Sequence, residues 1–137
     1  MATLDDICWT FNIRGCDVEC NPVIMAYSVI TKDEAYIYTD KDRFDDKTLA
    51  KFGEACVEVL PYDSIYEDIT RMNGKVLIDK RRVNMRIYQL IQSGRDVEAV
   101  LSDNPAMLFK AIKNETEIRN LYSVHVDDGV AVTKFIF

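Results

Sequence analysis

The sequence predicts an α/β domain: one mixed sheet, an antiparallel meander followed by parallel strands, flanked by helices. Three observations carry this. The first forty residues hold three apolar segments of strand-like composition, separated by short polar connections. From residue 44 onward the apolar positions switch to helical spacing, and helices then alternate with short strands. No repeat, low-complexity tract or Gly/Ser-rich linker divides the 137 residues, a length suited to one domain with a real core.

Taken in order, "ICWTFNI" (7–13) alternates, with Ile7, Trp9, Phe11 and Ile13 on one side and Cys8, Thr10 and Asn12 on the other. That is the pattern of a half-buried strand ended by Gly15. Thr3 and Asp6 resemble a capping box, so a short helical turn is expected before it. "VIMAYSVIT" (23–31) and "AYIYTD" (35–40) read as two more strands joined by the polar turn "KDE".

"FDDKTLAKFGEAC" (44–56) places Leu49, Phe52 and Cys56 at helical spacing behind an acidic first turn. "VEVL" (57–60) is a strand, and "PYDSIYEDITRM" a helix with Ile65, Ile69 and Met72 on one face and proline near its start. "KVLID" (75–79) and "VEAVLS" (97–102) are strands on either side of the helix "VNMRIYQLIQSG". After Asn104-Pro105 one helix runs through Lys113 and a second begins near Asn114. Strands separated by helices pair in parallel, so the order of elements resembles the ribonuclease H-like architecture.

Composition narrows the function. The net charge is -6 and the densest basic cluster is only Lys80-Arg81-Arg82. That argues against nucleic acid, whose affinity rests on clustered cations. No apolar run approaches the ~20 residues a membrane helix needs, and "MATLDD" meets two acids at once, unlike a signal peptide. A cytoplasmic protein is expected. Cys16 and Cys20 are spaced C-x3-C, neither a redox nor a zinc-knuckle spacing, and a single histidine, His125, leaves a zinc site short of donors. Free, buried thiols are expected.

No nucleophile–base pair stands out, and the five glycines are isolated, so no phosphate-cradling loop forms. A two-metal nuclease would need an acid late in the first strand; the residue there is Asn12, and Glu54 and Asp79, which could sit near it, read as scattered surface acids. The richest stretch is "NIRGCDVECNP" (12–22). Gly15 permits a sharp turn, Asp17 and Asn21 can form Asx turns, and Pro22 stiffens the return. Arg14 then either pairs with Asp17 to hold the loop or projects toward another carboxylate.

Two segments resemble a known family. "LDDICWTFNIRGCDVECNPV" is similar to the W-x-x-N-x-R-G-x-D-x-x-x-N-P-V segment of the three-domain Xaa-Pro aminopeptidases, the creatinase/aminopeptidase P/prolidase group. "LFKAIKNETEIRNLYSVHVDDGVAVTKFIF" resembles the stretch that enters their catalytic domain, with Asn120, Val124 and Asp127 departing from the usual residues. "VEVLPYDSIYEDI" and "KVLID" follow the family's middle domain.

The resemblance implies a creatinase/prolidase N-terminal-like domain at 1–113, then a linker and the first helix of a catalytic domain at 114–137. The apolar ending Phe135-Ile136-Phe137 reads as a cut from something longer. Release of an N-terminal residue preceding proline is the implied activity of the parent, which would bind two divalent metal ions, Mn or Zn, in its catalytic domain. This segment would carry no catalytic or metal residue. Its role would be to shape substrate access and subunit assembly, with Asn12, Arg14, Asp17 and Asn21 as substrate-gorge candidates. Implied partners are the catalytic domain, a proline-containing peptide and further copies of the chain. A creatinase-like peptide- or histone-binding module without peptidase activity is the alternative.

Overall fold

Where the alternation of residues 7–13 predicts a strand, the chain forms a helix. The computed structural model describes all 137 residues and places α1 at Leu4–Thr10. The apolar set Leu4, Ile7, Cys8 and Phe11 also fits the i, i+3, i+4, i+7 spacing of a helix face, and Asp5 and Asp6 sit in the first turn where the helix dipole favours acids. Ile7 and Cys8 are buried. Thr3 is at the N-cap position, but its side chain makes no capping bond.

The remaining elements follow the expected order. β1 (Tyr27–Ile30) and β2 (Ala35–Tyr38) form an antiparallel pair; β3 (Val57–Leu60) joins β2 in parallel after the crossover helix α2 (Asp46–Glu54). A short 3-10 turn, Tyr62–Ser64, leads into α3 (Ile65–Arg71). β4 (Gly74–Ile78) and β5 (Val97–Leu101) pair in parallel around α4 (Met85–Ser93). The strands thus form a three-stranded sheet, β1-β2-β3, and a separate two-stranded one, β4-β5. The meander is one hairpin, because its expected first strand is α1.

Alternation along β2 divides the core. Ile37 faces a cluster with Ile7, Cys8, Ile13, Val23, Ile24, Ala26 and Phe52, from α1, the following loop and α2. Tyr38 faces the opposite way, onto Ile65, Ile69, Ile78, Ile87 and Ile91 of α3, β4 and α4. Each fully buried isoleucine stabilises the fold by roughly 1.5–3 kcal/mol, so these two clusters hold the sheet between helical layers. Asn84 bonds twice: its Oδ1 accepts the Ile87 N–H (2.9 Å) as the N-cap of α4, and its Nδ2 donates to the Tyr27 hydroxyl (2.8 Å).

The chain divides into two compact units, Met1–Asn104 and Pro105–Phe137. The second holds α5 (Pro105–Ala111) and α6 (Glu115–Ile136). A full capping box opens α6: Asn114 Oδ1 accepts the Glu117 N–H and Glu117 Oε2 accepts the Asn114 N–H, both at 2.9 Å. No residue of α6 is buried; Ile118, Leu121, Tyr122, Val124, Val126, Val130 and Val132 are all exposed. No helix is long and apolar enough to cross a membrane.

Candidate functional site: the loop after the first helix

The 12–22 loop starts as the terminator of α1. Asn12 lies in the left-handed region at φ 50°, which asparagine tolerates better than most residues. Its N–H donates to Trp9 O (3.3 Å) and the N–H of Ile13 to Cys8 O (3.0 Å). This is a Schellman closure with Asn12 in the position usually held by glycine, and the buried Ile13 supplies its hydrophobic contact with the same core. Arg14 adds a cation to that end of the helix, its Nη1 donating to Cys8 O (3.1 Å) and Ile13 O (2.7 Å).

Gly15 is required by close approach. A Cβ there would lie 2.2 Å from Ile24 Cγ2 and 3.2 Å from Val23 O. Past it, the Asp17 carboxylate accepts the Met25 N–H (2.7 Å) and takes both of its ion-pair contacts from one nitrogen, Arg43 Nη1, at 2.6 and 2.7 Å. The Met25 N–H and then the Arg43 bond hold the Asp17 carboxyl below the usual carboxylate range, and the Asp17 bond in turn raises Arg43. Arg14 and Asp17 therefore do not pair with each other. Arg43, in the 3-10 turn Lys41–Arg43, does that work from 26 residues away.

The tip is a tight turn. Asn21 N–H donates to Val18 O (3.2 Å), and Cys20 stands at φ 58°. Val18, Glu19, Cys20 and Asn21 are exposed. Of the four cysteines, all free, only Cys8 is buried; Cys16, Cys20 and Cys56 are exposed, against the expectation of buried thiols. Loop and turn positions keep them from the core.

The four sequence candidates thus separate. Asn12 and Arg14 close α1, Asp17 anchors the loop, and Asn21 belongs to its exposed tip. Sequence reasoning missed Arg43, which had no signal beyond being a lone arginine among acids. It also left unassigned the partners of the basic cluster. Arg81 Nε contacts Asp79 (3.4 Å) and Arg81 also pairs with Asp103; Arg82 lies 3.8 Å from Asp79 and 4.0 Å from the buried Asp6. Burial raises the Asp79 carboxyl, but bonds from the Arg81 main chain and side chain, with both guanidinium charges, outweigh it and leave it lowered. That positive charge is neutralised inside the domain.

No three His, Cys, Asp or Glu side chains come together as a metal-ligand set, so the residues of this chain do not fit a two-metal centre. His125 is exposed on α6. A shallow depression between α3 and α4, lined by Asp63, Tyr66, Glu67, Thr70, Arg86 and Leu90, shares no residue with the loop; Arg86 stacks 4.1 Å above the Tyr66 ring.

Comparison with known proteins decides the family. The model of the creatinase/prolidase N-terminal domain matches residues 1–117. The chain belongs to the creatinase/prolidase N-terminal domain family. This creatinase-type domain is 32% identical over 139 residues to Xaa-Pro aminopeptidase 1 of Dictyostelium discoideum, covering 99% of the chain and 21% of that protein. It is 34% identical to a probable Xaa-Pro aminopeptidase P of Penicillium rubens, covering 98% and 23%. Among solved structures it matches the X-prolyl aminopeptidase of Caenorhabditis elegans, described as a cytosolic enzyme with a di-nuclear active site. The TM-score there is 0.80 at 26% identity, over 97% of this chain and 22% of that one. The creatinase-type chain thus spans about a fifth to a quarter of its relatives' length.

Proposed function

We propose that this chain acts as the non-catalytic N-terminal or middle domain of a cytoplasmic, metal-dependent Xaa-Pro aminopeptidase, shaping substrate access and subunit assembly. The observation that carries the reading is alignment over nearly the whole chain with Xaa-Pro aminopeptidases several times its length. The domain is assigned residues 1–113, so that it takes in α5 from the second compact unit, and 114–137 are assigned as the linker and first helix leading into the catalytic part. The exposed apolar residues of α6 support this division, since they are surface that a following domain would cover. Two divalent metal ions, Mn or Zn, belong to the remainder of the enzyme, because this chain's donor set does not fit them. The substrate is a peptide with proline in second position, and the enzyme assembles as a homo-oligomer.

A chimera tests this. The chain replaces its matched segment in the Dictyostelium enzyme, and hydrolysis of Xaa-Pro peptides is followed with added manganese or zinc. The chimera is expected to turn over and the isolated chain to be inactive. Chelator-sensitive turnover by the purified 137-residue chain, or a folded, metal-loaded chimera without activity, would overturn the reading.

A further inference from the structure

We propose that the free edges of β1 and β4 form a docking site for one added strand, an extended apolar segment that runs directly into Met1 and joins the two sheets into one. This goes beyond the peptidase reading and does not depend on it.

The first rung of that strand is in place. The Ser28 N–H donates to Met1 O (2.9 Å), and the Met1 amine donates to Ser28 O. Two residues that exchange both bonds are a hydrogen-bonded antiparallel pair, so Met1 lies as strand on the outer edge of β1. The Thr31 N–H bonds back to Glu34 O (2.8 Å) in the turn to β2. By the antiparallel alternation Tyr27 and Val29 then face β2, while Ser28 and Ile30 face outward.

β4 lies on that same side of β1. The Asn84 amide, past the end of β4, donates to the Tyr27 hydroxyl at the start of β1 (2.8 Å). Arg82 lies 4.0 Å from Asp6, which follows closely on Met1. The end of β4 thus meets the start of β1, so the two run antiparallel, yet no ladder joins them. Both pack on α3 and α4, through Tyr27 and Val29 from β1 and Val76 and Ile78 from β4. The Gly74 N–H donates to Asp96 O and Ile78 O accepts the Ser102 N–H, both on the β5 side. That turns the main-chain groups of Lys75 and Leu77 to the opposite, unpaired edge.

A strand continuing back from Met1 runs antiparallel to β1 and parallel to β4, so it can pair with both. Ile30 and Leu77, on the sheet face away from α3 and α4, are 53% and 47% exposed, the apolar surface such a strand covers. Helices lie on both faces, α1 and α2 on one and α3 and α4 on the other. The side chains of the added strand are therefore apolar at nearly every position. β1 has four residues and β4 five, which sets its length. Continuity with Met1 follows from charge. Burial lowers the Met1 amine to about 6, and a peptide N–H in its place carries no charge to desolvate. Relatives several times the length of this chain have polypeptide to supply the segment.

The test joins Lys-Val-Val-Ile-Val directly to Met1 of the 137-residue chain, with Lys-Gly-Ser-Gly-Ser and Lys-Val-Pro-Pro-Val as controls. Amide hydrogen exchange is followed at Ile30, Lys75 and Leu77, with the buried Ile91 of α4 reporting that each chain is folded. The apolar strand is expected to slow all three edge amides about tenfold or more, while both controls exchange like the parent. Unchanged Lys75 and Leu77 amides in the folded apolar fusion would show that the strand does not reach β4, and the proposal fails. Equal protection by the proline control would show apolar contact without strand pairing, and the proposal fails again. The same protection from the free peptide Lys-Val-Val-Ile-Val, or from concentrating the unextended chain, would seat a separate peptide or a second copy there and overturn continuity with Met1.

Discussion

At the scale of single residues, the loop shows how one side chain can be chosen for its backbone. Asn12 closes α1 because it accepts positive φ, and its side chain makes no bond that explains it. Asn12→Gly is therefore expected to hold stability within about 0.5 kcal/mol, while Asn12→Val loses about 1–2 kcal/mol, since β-branched residues resist that conformation. Urea unfolding of the two variants measures the difference. Gly15→Ala forces a methyl against Ile24 and the Val23 carbonyl, and is expected to cost about 1–3 kcal/mol as overpacking.

Elements are decided by which periodicity finds a core. α1 satisfies both the strand and the helix pattern in part, and burial of Ile7 and Cys8 against Ile37 and Phe52 settles it as helix. α4 depends on Asn84 at its start, and that residue also ties α4 to β1 through Tyr27. Asn84→Ala is expected to lower stability by about 1–2 kcal/mol through loss of the cap and the tie together. Asn84→Asp keeps the cap acceptor and loses only the donor to Tyr27, so its thermal midpoint should fall between alanine and the parent. Equal loss in the two variants would show that the tie, not the cap, carries the effect.

For the whole molecule, acid stability follows from carboxylates held in their charged form. Asp17, Asp45 and Asp79 all titrate below their ordinary range in the folded chain: Asp17 through Met25 and Arg43, and Asp45 through the Thr48 side chain and N–H at the start of α2. Asp79 is lowered by its two arginines despite burial. Lowered folded values mean the stabilisation is complete above the unfolded carboxylate value, about pH 4, and is lost as pH falls through the lower folded values. The melting temperature is expected to be flat near neutrality and to fall below about pH 4. Asp17→Asn should melt lower than the parent at pH 7, with the gap closing in acid; a gap independent of pH would show that the Asp17 charge contributes nothing.

Sequence alone determined the α/β class, the order of elements from residue 23 onward, the start of α6 near Asn114 and the unusual loop at 12–22. These are local matters of periodicity, turn chemistry and side chains within a few positions of one another, and the family motifs lie in the same contiguous stretches. Tertiary structure decided the rest. It made residues 4–10 a helix, because two periodicities fit and only the core could choose between them. It split the strands into two sheets. It also gave Asp17 its partner in Arg43 and Arg82 its place between Asp6 and Asp79. The Asp17–Arg43 and Asp6–Arg82 pairings join residues far apart in the chain, and a charge in a sequence carries no record of which distant charge the fold will bring beside it.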